Sequence, residues 1–134
     1  MINKILFTNG CYDILHPGHI ELFKYAKSLG NFLVIGIDSD KRVSTNKGQN
    51  RPINNQDIRK YMLLSLKYVD EVFIFDCDDE LKSLVKTINP DIMIIGSDWE
   101  GKTIIGSEYA KEIKFFKRIQ KFSTTKIIKN ITSR

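Results

Sequence analysis

The sequence predicts an α/β fold: a doubly wound parallel sheet of Rossmann-like, three-layer α/β/α architecture. Two observations carry this. Short apolar runs alternate with longer amphipathic segments along the chain, the pattern of strands joined by crossover helices. The polar stretches at 8–19, 38–54, 96–102 and 118–125 each follow a strand-like run. In such a sheet, ligands bind beyond the carboxyl ends of the strands, so four separate segments converge on one edge.

The elements follow in order. Residues 4–8 read as the first strand. Residues 18–29 read as a helix, with Ile20, Phe23, Ala26 and Lys27 at helical spacing and Gly30 as its stop. Residues 32–37 are apolar throughout, as suits a central strand covered on both faces. Residues 41–54 are polar, carry Gly48 and Pro52, and read as a loop. Residues 55–67 place Ile58, Met62, Leu63 and Leu66 on one side of a helix. A third strand follows at 71–75, then a helix at 80–88 that ends before Pro90. Residues 91–95 form a fourth strand opening into Gly96 to Trp99. A short final strand is expected at 114–117, and Ser123 or Thr124 caps a last helix running through Asn130. No repeat, low-complexity tract or linker interrupts the pattern, so residues 1–134 are expected to form a single domain.

Size and composition bound the function. A chain of 134 residues with 42% hydrophobic and 28% charged residues suits one soluble core. No apolar run approaches the ~20 residues a membrane span needs, and the start, Met1-Ile2-Asn3-Lys4, has no signal-peptide layout. Cys11 and Cys77 are too few for a disulfide framework and fit a reducing compartment, so a cytoplasmic location is expected. The net charge of +5 is spread rather than clustered with aromatics. That favours anionic small-molecule substrates over nucleic acid.

The densest chemistry lies in Thr8-Asn9-Gly10-Cys11-Tyr12-Asp13-Ile14-Leu15-His16-Pro17-Gly18-His19, which holds both histidines of the chain. Imidazoles three apart at a helix start share one face, where free backbone N–H groups and the helix dipole favour anions. Two further donors there make a site for a polyphosphate on which charge builds during reaction. The same pair also suits a helix-capping role, or half of a zinc site. Zinc needs two more ligands, which the remaining Cys and His positions do not obviously supply. Near the other terminus, Ser123-Thr124-Thr125 offers hydroxyls and free N–H groups at a second helix start, or an ordinary N-cap.

The stretch Gly10 to His19, with its His-x-Gly-His core, resembles the nucleotide-binding motif of the cytidylyltransferase-like nucleotidyltransferases. Phe122-Ser123-Thr124-Thr125-Lys126 resembles a second element of that family, and Lys121 stands where the family has a glycine. Together the two elements make the likeness run over nearly the whole chain. It implies transfer of a nucleotidyl group from a nucleoside triphosphate to a phosphorylated small-molecule acceptor, with release of pyrophosphate. His16, His19, Lys47 and Arg118 would then be catalytic. Thr8, Asn9, Gly10, Cys11, Tyr12, Asp13, Gly18, Gly96, Asp98, Trp99, Ser123, Thr124 and Thr125 would bind nucleotide, with Gly10 and Gly18 letting backbone amides approach the phosphates. Asp38, Lys47 and Arg59 would bind the acceptor; Lys47 and Arg59 also read as a solvated loop lysine and a surface helix arginine. Mg²⁺ would ride on the triphosphate, with no metal site of the protein's own. A homodimer is expected from the surplus of apolar groups at 59–75, including Tyr61, Leu64, Tyr68 and Val72.

The substrate divides the resemblance. Asp98-Trp99-Glu100-Gly101-Lys102 and Arg118 resemble the glycerol-3-phosphate cytidylyltransferases, in which Trp99 would wall in the base and Asp98 read its edge. Lys47-Gly48-x-x-Arg51-Pro52-Ile53-Asn54 and Ile104-Ile105-Gly106-Ser107-Glu108 look instead like adenylyltransferases that act on heptose 1-phosphate. CTP with a glycerol 3-phosphate-like acceptor is the favoured expectation and ATP with a sugar 1-phosphate the alternative. A non-catalytic nucleotide-binding module and a basic nucleic-acid binder are the competing classes.

Overall fold

The computed structural model describes residues 3–119 and 122–134. Met1, Ile2 and Lys121, on which the readings of the N-terminus and of the departure from the family's glycine rest, lie outside them. Among the described residues five strands form one sheet in the order β3-β2-β1-β4-β5: β1 (Ile5–Gly10), β2 (Phe32–Asp38), β3 (Glu71–Phe75), β4 (Ile92–Gly96) and β5 (Glu112–Phe116). Every pairing is parallel, so the predicted doubly wound sheet is present. Successive residues of the central strands feed opposite faces. Leu6, Leu33, Ile35, Ile92 and Ile94 pack with Phe23 and Ala26 of α1 (Pro17–Ser28) and Leu63 of α3 (Gln56–Leu64). Phe7, Val34, Met93 and Ile95 pack with Leu81 and Val85 of α4 (Asp78–Ile88). No helix among the described residues is long and apolar enough to cross a membrane.

The structure departs from the sequence expectation between β2 and α3. Residues Asp40–Lys47 form a helix, α2, where a loop is expected. Ser39 caps it by accepting from the Arg42 amide at 3.2 Å, and Gly48 ends it at φ 104°. Val43 is its only buried residue, so no apolar stripe announces it. Helix α4 begins two residues earlier than expected, and α3 ends at Leu64, followed by turns. Helix α5 (Thr124–Thr132) starts behind the Ser123 cap. Val72, counted among the surplus apolar groups, is fully buried core.

What positions the site is a buried cation. Arg59 of α3 is 1% exposed. Its Nε donates to the Asn54 carbonyl at 3.0 Å, and Nη1 donates to the carbonyls of Cys11 at 2.9 Å and Asp38 at 2.8 Å. Nη2 meets the Asp40 carboxylate at 2.9 Å. One guanidinium therefore ties the segments after β1 and β2 to the start of α3. Its burial overturns the reading of Arg59 as a surface helix arginine, and its donors are spent on three carbonyls and the Asp40 carboxylate. Asp13, 4% exposed, answers from the opposite side, its two oxygens accepting from the amides of Ile53 at 2.7 Å and Asn54 at 2.8 Å. Replacing Arg59 by Met should cost about 2–4 kcal/mol in urea denaturation, because three buried carbonyls lose their donors. Arg59→Lys, which cannot span all four partners, should recover only part of that.

Candidate active site

The cleft begins where two strands part. β1 stays paired with β2 through Gly10 and Ile37, but its pairing with β4 stops at Phe7 and Met93. Chain order reverses across this seam, the switch point at which doubly wound sheets bind ligands. Asn9, Gly10, Ile95 and Gly96 line the opening, a cavity of about 520 Å³ whose further walls include Asp38, Trp99 and Ile104. A smaller cavity of about 160 Å³ adjoins it, lined by Asp13, His16, His19, Lys47, Arg51, Arg118 and Ser123 to Thr125. Cys11, with Lys47, borders both. A larger groove, about 900 Å³, runs between α2 and the start of α4, and none of the predicted site residues lines it.

The histidines form a reciprocal cap. His16 is the N-cap of α1: its Nδ1 accepts from the Gly18 amide at 3.1 Å, while Nδ1 of His19 accepts from the His16 amide at 3.3 Å. The rings stack with centroids 3.7 Å apart. The capping reading is realised, and with Nδ1 taken as acceptor, each neutral ring carries its proton on Nε2. This revises the roles of the glycines and free amides. The Gly18 amide is consumed by the cap, and a Cβ there would lie 2.9 Å from the His16 ring. Gly10 likewise makes room for the Tyr12 ring, which a Cβ would meet at 3.0 Å. Tyr12, held at φ 52°, packs edge-on against His19 and Phe23 and buries itself behind the histidines. Thr8, 2% exposed beside the Tyr12 hydroxyl, lies behind the cavities rather than on their walls.

Across the smaller cavity, Ser123 caps α5 by accepting from the Lys126 amide at 3.0 Å, which leaves its own hydroxyl proton to donate. Thr124 gives its proton to the Ile14 carbonyl at 3.0 Å, tying α5 to the histidine loop, so its hydroxyl serves as a strut. Arg118 stands 3.5 Å from Asp98, a pair that joins the two cavities at their rim. Trp99 is 53% exposed, with the Lys102 ammonium 5.6 Å from its ring centre, so it is a wall and not a packing anchor. Asp38 lines the larger cavity with its carboxylate held by Arg42 at 2.9 Å. Arg51 is the wall residue that motif reading left unassigned. It lay in the quoted 47–54 run, but sequence alone does not say that a loop arginine is turned inward.

Burial, then the neighbouring His16, Lys47 and Arg118, pushes the His19 pKa down to about 3. Burial and Arg118 lower that of His16. Burial raises the Cys11 thiol and the Tyr12 phenol, so neither is a ready nucleophile or base. The smaller cavity is thus lined by neutral imidazoles beside permanent cations. Because unfolded His19 takes up a proton near pH 6.5 and the folded residue does not, the unfolded state binds more protons and stability falls with falling pH. From pH 7 to 5 the loss assignable to His19 should be about 1–2 kcal/mol. Chemical denaturation across that range should show the slope in the parent and a flatter one in His19→Gln.

A family model described as cytidylyltransferase-like matches residues 7–132. The bifunctional protein HldE of Campylobacter fetus subsp. fetus is 48% identical over 127 residues, covering 95% of this chain and 28% of that protein. HldE of Aliarcobacter butzleri is 46% identical over 128 residues, covering 96% and 27%. The chain thus spans a little over a quarter of the length of these relatives. Among solved structures, the lipopolysaccharide core biosynthesis protein from Thermoplasma volcanium superposes with a TM-score of 0.69 at 27% identity, covering 85% of this chain and 97% of that one. The pantoate-beta-alanine ligase from Francisella tularensis, complexed with beta-gamma ATP and beta-alanine, shares the fold at TM-score 0.60 and 16% identity, covering 97% and 69%. With the family motif seated at the switch point and the match running over nearly its whole length, this chain belongs to the cytidylyltransferase-like family of nucleotidyltransferases.

Proposed function

We propose that this chain transfers AMP from ATP to a sugar 1-phosphate of the heptose 1-phosphate kind, releasing pyrophosphate. The observation that carries the choice of base is the make-up of the larger cavity. Ile104 and Ile105, from the segment that resembles the heptose 1-phosphate adenylyltransferases, join Leu81 and Ile95 in its apolar wall. Asp98, on which the expectation of cytosine recognition rests, lines the same cavity and also stands 3.5 Å from Arg118. The relatives named HldE and the Thermoplasma protein named for lipopolysaccharide core biosynthesis support the same direction, the latter pointing to sugar chemistry. The second reading, CTP with a polyol phosphate, keeps the support of the Trp99-Lys102 wall.

In this reading the base lies in the larger cavity and the triphosphate crosses to the smaller one past Cys11 and Lys47. An acceptor phosphate oxygen, already ionised, attacks the α-phosphorus. A new P–O bond forms as the bond to the bridging oxygen of pyrophosphate breaks. The protein positions and neutralises rather than removing a proton. The Nε2–H groups of His16 and His19, with Lys47 and Arg118, face charge that grows on the transferred and leaving groups. Mg²⁺ would neutralise the triphosphate from phosphate oxygens and water. Asp13, the carboxylate of the phosphate cavity, has both oxygens committed to backbone amides. Such a reaction belongs in the cytoplasm, where ATP is held.

The test is a pyrophosphate-release screen of ATP and CTP against heptose 1-phosphate, other sugar 1-phosphates and glycerol 3-phosphate. The expected pair is ATP with a sugar 1-phosphate. Turnover with CTP alone would return the choice to the second reading, and none with any pair would defeat the transferase reading. In the active pair, His16→Asn, which retains a helix-capping side chain, and His19→Asn should each lower turnover at least ~100-fold with the fold intact. Near-parental rates would remove the histidines from the mechanism.

We also propose a homodimer through α3 and the edge strand β3, where Ile58, Tyr61, Met62, Leu64 and Phe73 are each at least 40% exposed. Light scattering at micromolar concentration should give about twice the 15.5 kDa chain mass; a monomer mass would refute it.

A further inference from the structure

We propose that Arg51 is a specificity residue of the site: a bidentate receptor for a phosphate of the substrates, set in place before they arrive. Its Nε and Nη2 are buried and without a hydrogen-bond partner among the described residues. These two atoms form one edge of the guanidinium, the parallel N–H fork that matches two oxygens of a phosphate. The side chain lines the smaller cavity with His16, His19, Lys47 and Arg118. Among the described residues, the carboxylate within 4 Å of it makes no hydrogen bond to the fork. Asp13 Oδ2 stands 3.8 Å from Nε, beyond hydrogen-bond reach, and both Asp13 oxygens are already engaged by the Ile53 and Asn54 amides. The Arg51 amide donates to the Gly48 carbonyl at 3.1 Å, so the backbone that carries the fork is itself anchored. Guanidinium N–H groups that are buried and lack hydrogen-bond acceptors cost stability. Its retention on the wall of an anion cavity is explained by a ligand that supplies the missing acceptors.

Arg51 differs in this from Arg59. Arg59 spends its donors on protein carbonyls and holds the loops, whereas Arg51 keeps its fork for a ligand. The shared chemistry is a phosphate dianion or diphosphate, and two sources supply it: the tail of the nucleoside triphosphate and the monoester of the acceptor. That identification of sources rests on the proposed nucleotidyl transfer; the anion receptor does not.

The test compares the parent with Arg51→Met, which keeps the apolar stem, and Arg51→Lys, which keeps the charge without the fork. Titration with inorganic pyrophosphate and inorganic phosphate is followed by KM for nucleotide and acceptor in the active pair. Both variants should lose at least about tenfold in affinity for one source, with kcat changing less. Loss toward pyrophosphate and nucleotide assigns the fork to the triphosphate tail; a raised KM for the acceptor alone assigns it to the monoester. Arg51→Met should melt near the parental temperature, since the fork makes no hydrogen bond to the protein and Asp13 keeps its two backbone amides. If binding and KM are unchanged in both variants, the proposal falls. It falls equally if Arg51→Met melts several degrees lower and Arg51→Lys restores it, because Arg51 is then a brace. Should the parent turn over no substrate pair while its pyrophosphate affinity still depends on Arg51, the receptor stands and the transferase reading fails.

Discussion

Two buried charged side chains, Arg59 and Asp13, do for the loops of this protein what a hydrophobic core cannot. A parallel sheet delivers its connecting segments to one edge, but those segments are polar and have little apolar surface with which to hold themselves in place. Arg59 binds the carbonyls just after β1, at the end of β2 and just before α3. Asp13 binds the amides just ahead of α3. One cation collecting acceptors and one anion collecting donors therefore fix the same loops from both sides. The cleft left by the early parting of β1 and β4 keeps its shape because these loops cannot slide.

The histidine turn solves a second problem with the same economy. A helix start needs its amides satisfied, and an anion site needs donors pointing outward. By accepting backbone amides at Nδ1, His16 and His19 satisfy the first need, and in the proposed reaction their Nε2–H groups serve the second. Tyr12 at its unusual φ, and the missing side chains of Gly10 and Gly18, are the packing terms that allow the rings to stack there. The cost is electrostatic. His19 is held neutral far below its ordinary range, and Arg51 keeps two buried N–H groups without a hydrogen-bond partner among the described residues.

Much of this was legible in the chain. Continuous apolar runs bounded by glycine and polar clusters announced the strands, since a strand buried on both faces has no polar positions to spare. The placement of 8–19, 96–102 and 118–125 behind those runs brought most of the candidate site together, because sheet topology alone sends such segments to one edge. Helix α2 escaped notice because only Val43 is buried on it, and helices are read from sequence by their apolar stripe. Arg59 resembled a ligand and is a brace, and Arg51 passed unassigned, because the spacing of charged residues says nothing of which way a guanidinium turns.

The sequence by itself determined the fold class, the family and the chemical type of the site, since these follow from periodicity and from short motifs whose members lie within a few residues of one another. Tertiary structure alone decided which polar groups are spent on the protein and which remain for a ligand. It separated Arg59 from Arg51, gave Thr124 to the Ile14 carbonyl while leaving Ser123 a proton to donate, and set Asp98 on the wall of the larger cavity with Ile104 and Ile105. The physical reason is that a hydrogen-bonding group is committed by its nearest partners in space. For these residues the partners come from elements as far apart in the chain as Ile14 and Thr124, a distance that local pattern does not reach.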